Sequence, residues 1–157
     1  AIHVIVPRIG DCALVNDINK RVAHGHGWNS RSVGFEVEGY YAGIDGKPNT
    51  LWKPPGATGA RCVGQKPTQP QVDGALSAIR WCIAEIAKNG GKVKYVGAHR
   101  QSYGRKSSDP GSLIWKAIAL PAMEEHKLTT APTLSHPKYP GLPIPEAWDP
   151  AQKGVKY

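Results

Sequence analysis

An imidazole and a carboxylate ten positions apart, His99 and Asp109, bracket a polar loop in which Arg100, Arg105 and Lys106 add positive charge. Residues 93–98 form an apolar run with strand character just before the histidine, and Asp109 is followed by Pro110-Gly111, a turn signal. One ligand held at a strand end and a second brought back by a loop is a way to build a zinc site with a position left open for water. The same pair also reads as a polar strand terminus followed by a turn. A second cluster lies at residues 22–32, where glycines alternate with His24, His26 and Trp28 and are followed by Asn29. Glycine lets such a loop lie close to a ligand, so the segment is either a cleft wall or an ordinary loop with two exposed histidines. The third is Val33-Gly34-Phe35-Glu36-Val37-Glu38-Gly39, in which Phe35 and Val37 point one way and Glu36 and Glu38 the other. Ionised carboxylates on a buried face need a partner or a metal. On a solvent face they need neither.

These residues must be positioned by regular elements. Residues 2–6 and 12–15 are apolar runs joined by Pro7-Arg8-Ile9-Gly10-Asp11, which predicts a β-hairpin. Alternation puts Ile2, Val4 and Val6 on one face and His3 and Ile5 on the other, so His3 is expected as a half-buried sheet histidine rather than a ligand. Residues 40–66, rich in Gly, Pro and Thr and holding Trp52 and Pro54-Pro55-Gly56, read as a long surface loop. Thr68 with Gln71 three positions on and Pro70 between them predicts a capped helix start. Val72, Ala75, Leu76, Ile79, Cys82, Ile83 and Ile86 then recur at helical spacing as a core stripe, and Asn89-Gly90-Gly91 stops the helix. Residues 92–99 are the strand that delivers His99. A shorter helix is expected from residue 113 to about 120, resuming after Pro121 as 122–128.

From residue 129 onward Pro132, Pro137, Pro140, Pro143, Pro145 and Pro150 predict an extended arm or linker. The order hairpin, strand, helix, strand, helix implies an α/β fold, a mixed central β-sheet flanked by helices over residues 1–128, with a Pro-rich C-terminal arm over 129–157.

With 157 residues the chain fits one domain. Lys+Arg 20 against Asp+Glu 12 gives a net charge of +8, which suits an anionic partner such as nucleic acid, anionic lipid or a cell-wall polymer. The basic residues are scattered and form no recognised nucleic-acid motif, which argues against specific nucleic-acid binding. No apolar run approaches the ~20 residues of a membrane span. Cys12, Cys62 and Cys82 are odd in number and lack CxxC spacing, so neither a zinc knuckle nor a complete disulfide framework is implied. The chain opens at Ala1 directly into a strand, with no signal peptide visible, and reads as a processed or trimmed edge.

Taken together, His24-x-x-x-x-Asn29-x-x-Ser32-Val33-Gly34-x-Glu36-x-Glu38-Gly39, the capped helix, and Gly97-x-His99-Arg100 followed by Lys106-x-x-Asp109-Pro110-Gly111 resemble the zinc-dependent type 2 N-acetylmuramoyl-L-alanine amidases. That fold is shared with phage lysozyme-type amidases and peptidoglycan recognition proteins. The resemblance covers about residues 1–125, in the family's order.

The resemblance implies a Zn2+ cofactor with His99 and Asp109 as ligands, Lys106 with Arg105 beside it as the oxyanion-stabilising group, and Glu36 as the catalytic glutamate. Many members have one residue between that lysine and the ligand where this chain has two, so the role could pass to a neighbour of Lys106. Members without the glutamate use a tyrosine at the position of Ile2. His24, Trp28 and Asn29, together with Arg100, fall where the family binds its glycopeptide. The implied reaction cleaves the amide between N-acetylmuramic acid and the L-alanine of the stem peptide, by a zinc-bound water whose proton Glu36 takes and passes on. The family's first zinc ligand is a histidine on a strand upstream of the one beginning at Ile2, and His3 aligns with the next strand. A third ligand is therefore expected from a separate or cleaved N-terminal segment, or from His24 or His26; the alternative is a non-catalytic peptidoglycan-binding module of the same fold. Either implies a cell envelope, secreted or phage lysin setting.

Overall fold

The hairpin forms where the two apolar runs predict it. In the computed structural model, which describes residues 1–51, 53, 56, 58, 63–135 and 137–151, strand β1 (Val4–Val6) pairs antiparallel with β2 (Ala13–Leu14). Expectations for Trp52, Pro54, Pro55 and Cys62, and for residues 152–157, lie outside the described residues. The turn packs on the next helix so closely that a Cβ on Gly10, at φ +94°, would meet the Pro70 carbonyl oxygen at 2.4 Å. Strand β3 (Phe35–Val37) joins the other side of β1 in parallel, giving the order β2-β1-β3.

Val4 and Val6 are buried and Ile5 is exposed, as alternation requires. His3 departs from the pattern and is fully buried. The N–H groups of both His3 and Val4 donate to the Gly34 carbonyl, at 2.9 and 3.0 Å. Two residues against one make a bulge, which turns His3 to the core side. There its Nδ1 accepts from Gly34 N–H at 2.9 Å and its Nε2 donates to Lys20 O at 3.0 Å, so both ring nitrogens are used.

Helix α1 (Gln69–Lys88) starts at Thr68, whose hydroxyl oxygen accepts from Gln71 N–H at 3.2 Å. The Gln71 side chain does not return to close a capping box. It is buried, its Nε2 donating to Val6 O and Glu38 O at 3.1 and 2.8 Å and its Oε1 accepting from Tyr41 at 2.8 Å. This pins the start of α1 to β1 and to the end of β3. Asn89 caps the helix and Gly90 takes φ +76°. Of the expected core stripe only Ala75 and Cys82 are buried; Val72, Leu76, Ile79, Ile83 and Ile86 are half-buried. Burial pushes the Cys82 thiol up to about 11.

The single central sheet expected from the element order is instead two. Strand β4 (Tyr95–Val96) pairs in parallel with β5 (Thr129–Thr130) in a separate two-stranded sheet. His99 is not the last strand residue but the first of a short helix, α2 (His99–Ser102). The two helical pieces after Ser112 are continuous: α3 (Ser112–Ile114), a π-helical stretch (Trp115–Ala119) and α4 (Leu120–His126). Proline cannot donate to the ladder and its ring crowds the turn before it. Just ahead of Pro121, Leu120 N–H bonds five residues back to Trp115 O, and the wider turn carries the helix past.

The boundary expected at residue 128 is not a boundary. Beyond β5, Ala131 N–H bonds Val96 O, Leu134 N–H bonds Gln101 O and Leu142 N–H bonds Arg100 O, each at 2.8 Å. Ile144 and Trp148 are buried with Ala98, Trp115, Ala119 and Met123 in one apolar cluster. The prolines fit because an extended segment needs no ladder at those positions, while the intervening N–H groups find carbonyls. A second cluster, with Val4, Val6, Tyr41, Ala75, Cys82, Ile114 and Ile118, lies under the three-stranded sheet.

Candidate functional site

A cleft of about 1000 Å³ separates the two sheets. Phe35, Glu36 and Val37 of β3 line one wall, residues 92–99 line the other, and Ile79, Ile83 and Ile86 of α1 contribute apolar surface. His24, His26, Trp28, Asn29, His99 and Asp109 line it too.

His99 Nδ1 donates to Asp109 Oδ2 at 3.2 Å, so the loop brings the carboxylate back to the histidine as the spacing predicted. Asp109 N–H bonds Lys106 O at 2.9 Å and its carbonyl accepts from Arg100 N–H at 3.3 Å, which closes the intervening loop on itself. The Nε2 of His99 is buried with no hydrogen-bond partner among the described residues. An imidazole oriented by a carboxylate, with its far nitrogen open, can accept a proton or ligate a metal.

The second loop is built around Asn29, whose Oδ1 accepts from His24 N–H and Gly25 N–H at 3.0 and 2.7 Å. His24 packs where a Cβ on Gly34 would sit 2.6 Å from its ring. Its Nδ1 donates to Val22 O at 2.7 Å and its Nε2 meets Ser32 Oγ at 2.8 Å. Burial lowers its pKa from 6.5, the Val22 bond opposes this, and the nearby charges of His3 and His99 add to the lowering. Both ring nitrogens of His24 are thus engaged, an arrangement that does not offer it as a ligand. His26, at φ +51°, stacks on Tyr103 with ring centroids 3.9 Å apart and stands 5.9 Å from the His99 ring. Trp28 lies against Gly97, where a Cβ would meet its ring at 2.7 Å.

Glu36 is exposed on β3 and lines the cleft, and Glu38 beside it accepts from Arg8 N–H at 2.9 Å. Their face is a solvent face, so the two carboxylates need no buried partner. Lys106 and Arg100 do not line the cleft. The Arg100 guanidinium lies over the Trp148 ring at 5.1 Å, its Nη1 donates to Ser107 O, and burial lowers its pKa. It braces the C-terminal segment against α2.

Gln101 gave no functional signal in the sequence, yet it positions His99: its Oε1 accepts from Ala98 N–H at 2.9 Å and its Nε2 donates to Ala131 O at 2.6 Å. A glutamine three residues after the N-cap residue Ala98 is the local cue.

Catalytic zinc usually takes three protein ligands. Among the described residues no three His, Cys, Asp or Glu side chains gather closely enough to hold a metal ion. His99 and Asp109 bring two side chains of ligating types together, and the described residues do not add a third. No helix among them is long and apolar enough to cross a membrane. No family model, curated protein or solved structure matches the chain.

Proposed function

We propose that this chain acts on peptidoglycan, hydrolysing the amide between N-acetylmuramic acid and the L-alanine of the stem peptide. In this reading His99 and Asp109 are two ligands of a zinc ion, Glu36 is the acid–base group, and His24, Trp28 and Asn29 shape the glycopeptide groove. The observation that carries it is that His99 Nδ1 and Asp109 Oδ2 stand 3.2 Å apart, close enough to share one ion, in a cleft that Glu36 also lines. The net charge of +8 suits adsorption to an anionic wall polymer. The setting would be the cell envelope, reached as a secreted protein or a phage lysin. The reading needs a third donor, from His26 or from a segment beyond the described residues.

A second reading, a peptidoglycan-binding module without activity, is favoured by the count of two donors rather than three. Elemental analysis of the purified protein, with release of stem peptides from sacculi assayed with and without chelator, separates the two. The amidase reading expects about one zinc per chain, chelator-sensitive release, and loss of both in His99→Ala and Asp109→Ala. Sacculus binding with no zinc and no release would leave only the binding module.

A further inference from the structure

We infer that the cleft between β3 and β4 is a strand-insertion site, taking an extended segment of a separate polypeptide that is apolar toward α1 and carries acidic residues. The inference rests on the cleft walls and not on the amidase reading. Strand β3 is terminal in the order β2-β1-β3 and β4 is terminal in β4-β5, and both line the same cleft. Among the described residues, neither has a strand partner for its backbone N–H and C=O groups on its free edge. Residues 33–38 and 92–97, which include these two strands, contain no proline, a common device for blocking an edge.

The apolar surface of the cleft makes the same demand. Ile79, Ile83 and Ile86 lie on α1 at helical spacing yet remain half-buried. Ile83 and Ile86 belong to neither apolar cluster. At about 1000 Å³ the space is at the upper end of small-molecule pockets. A ligand that satisfies both walls must offer hydrogen-bonding groups on two opposite edges at the ~3.3 Å repeat of a strand. Only extended polypeptide does so, with alternate side chains directed at the isoleucines. Lys20, Arg21, Arg31, Lys92 and Lys94 line the cleft against Glu36 and Asp109, and this cationic excess assigns acidic residues to the occupant.

The test is a panel of synthetic nonapeptides alternating Val or Ile with Thr between terminal aspartates, titrated into the isotopically labelled full chain. Binding and backbone amide exchange are read together, without zinc or sacculi, so failure here and failure of the amidase reading are separate results. We expect saturable binding, and slowing by about tenfold or more of the amides in Phe35–Val37 and Tyr95–Val96 that are not bonded to β1 or β5. Proline at alternate positions of the peptide should abolish both effects. Ile83→Asp and Ile86→Asp, which alter half-exposed positions and should keep the far-ultraviolet circular dichroism of the parent, should each weaken binding about tenfold or more. The proposal is overturned if no panel member slows exchange at either edge. It is equally overturned if the proline peptides bind as well, or if sedimentation shows that a second copy of the chain closes the cleft.

Discussion

The buried imidazoles set the first limit on what this chain can tolerate. Partial burial lowers the pKa of His24 from 6.5. The folded chain therefore binds the proton less readily than the unfolded chain, so stability from this group is fully present above pH 6.5 and is lost as the pH falls below it. Thermal midpoints measured from pH 7.5 down to about 5 should fall, and His24→Gln should flatten that part of the profile. A variant with an unchanged slope would remove His24 as the cause. At this scale the sequence is legible where spacing alone decides: His99 and Asp109 meet because a loop of nine residues returns to its start. His3 was not legible in the same way, since a bulge that sends two N–H groups to one carbonyl reverses its face without changing the apolar pattern. Nor was Gln101, whose role depends on a carbonyl thirty positions away, that of Ala131.

Among the elements, those with local signals formed as expected and those that depend on distant partners did not. Helix α1 has its cap, its stripe and its stop within its own residues, and it runs from Gln69 to Lys88. The C-terminal segment has prolines in place of such signals, and composition suggested an arm. Its order comes from elsewhere, through Arg100, Gln101 and the Trp115 cluster. Trp148 is fully buried, its ring centroid is 5.9 Å from that of Trp115, and its indole N–H donates to Gly43 O. Truncating a buried tryptophan costs about 3–5 kcal/mol. Trp148→Ala should lose that much in urea unfolding, and the exchange protection of β4, β5 and α2 should fall with it. A loss within about 0.5 kcal/mol, the range of surface substitutions, would return the segment to the status of a linker.

On the scale of the whole molecule, the sequence supplies strands and helices but not which strand edges meet. The mixed α/β character follows from the element order, whereas in the division into sheets β2-β1-β3 and β4-β5 no strand among the described residues lies between β3 and β4. Along the apolar stripe of α1, Ala75, Ile79, Cys82, Ile83 and Ile86 all line the cleft; Ala75 and Cys82 are also buried in the cluster under the three-stranded sheet, whereas Ile83 and Ile86 belong to neither cluster. An open cleft makes a thermodynamic demand that closure would reverse. A half-covered isoleucine has already forgone much of the ~1.5–3 kcal/mol that full burial gives, so its truncation leaves little cavity. Ile83→Ala should therefore cost about 1 kcal/mol or less in the free chain, a fraction of the loss at Trp148. With a bound strand peptide present the cost should rise toward the ~2–5 kcal/mol of a core Ile→Ala change, because the same side chain is then enclosed. Equal costs with and without peptide would mean that the isoleucines are not the surface the strand covers. A large cost in the free chain would mean that the cleft is already closed in solution.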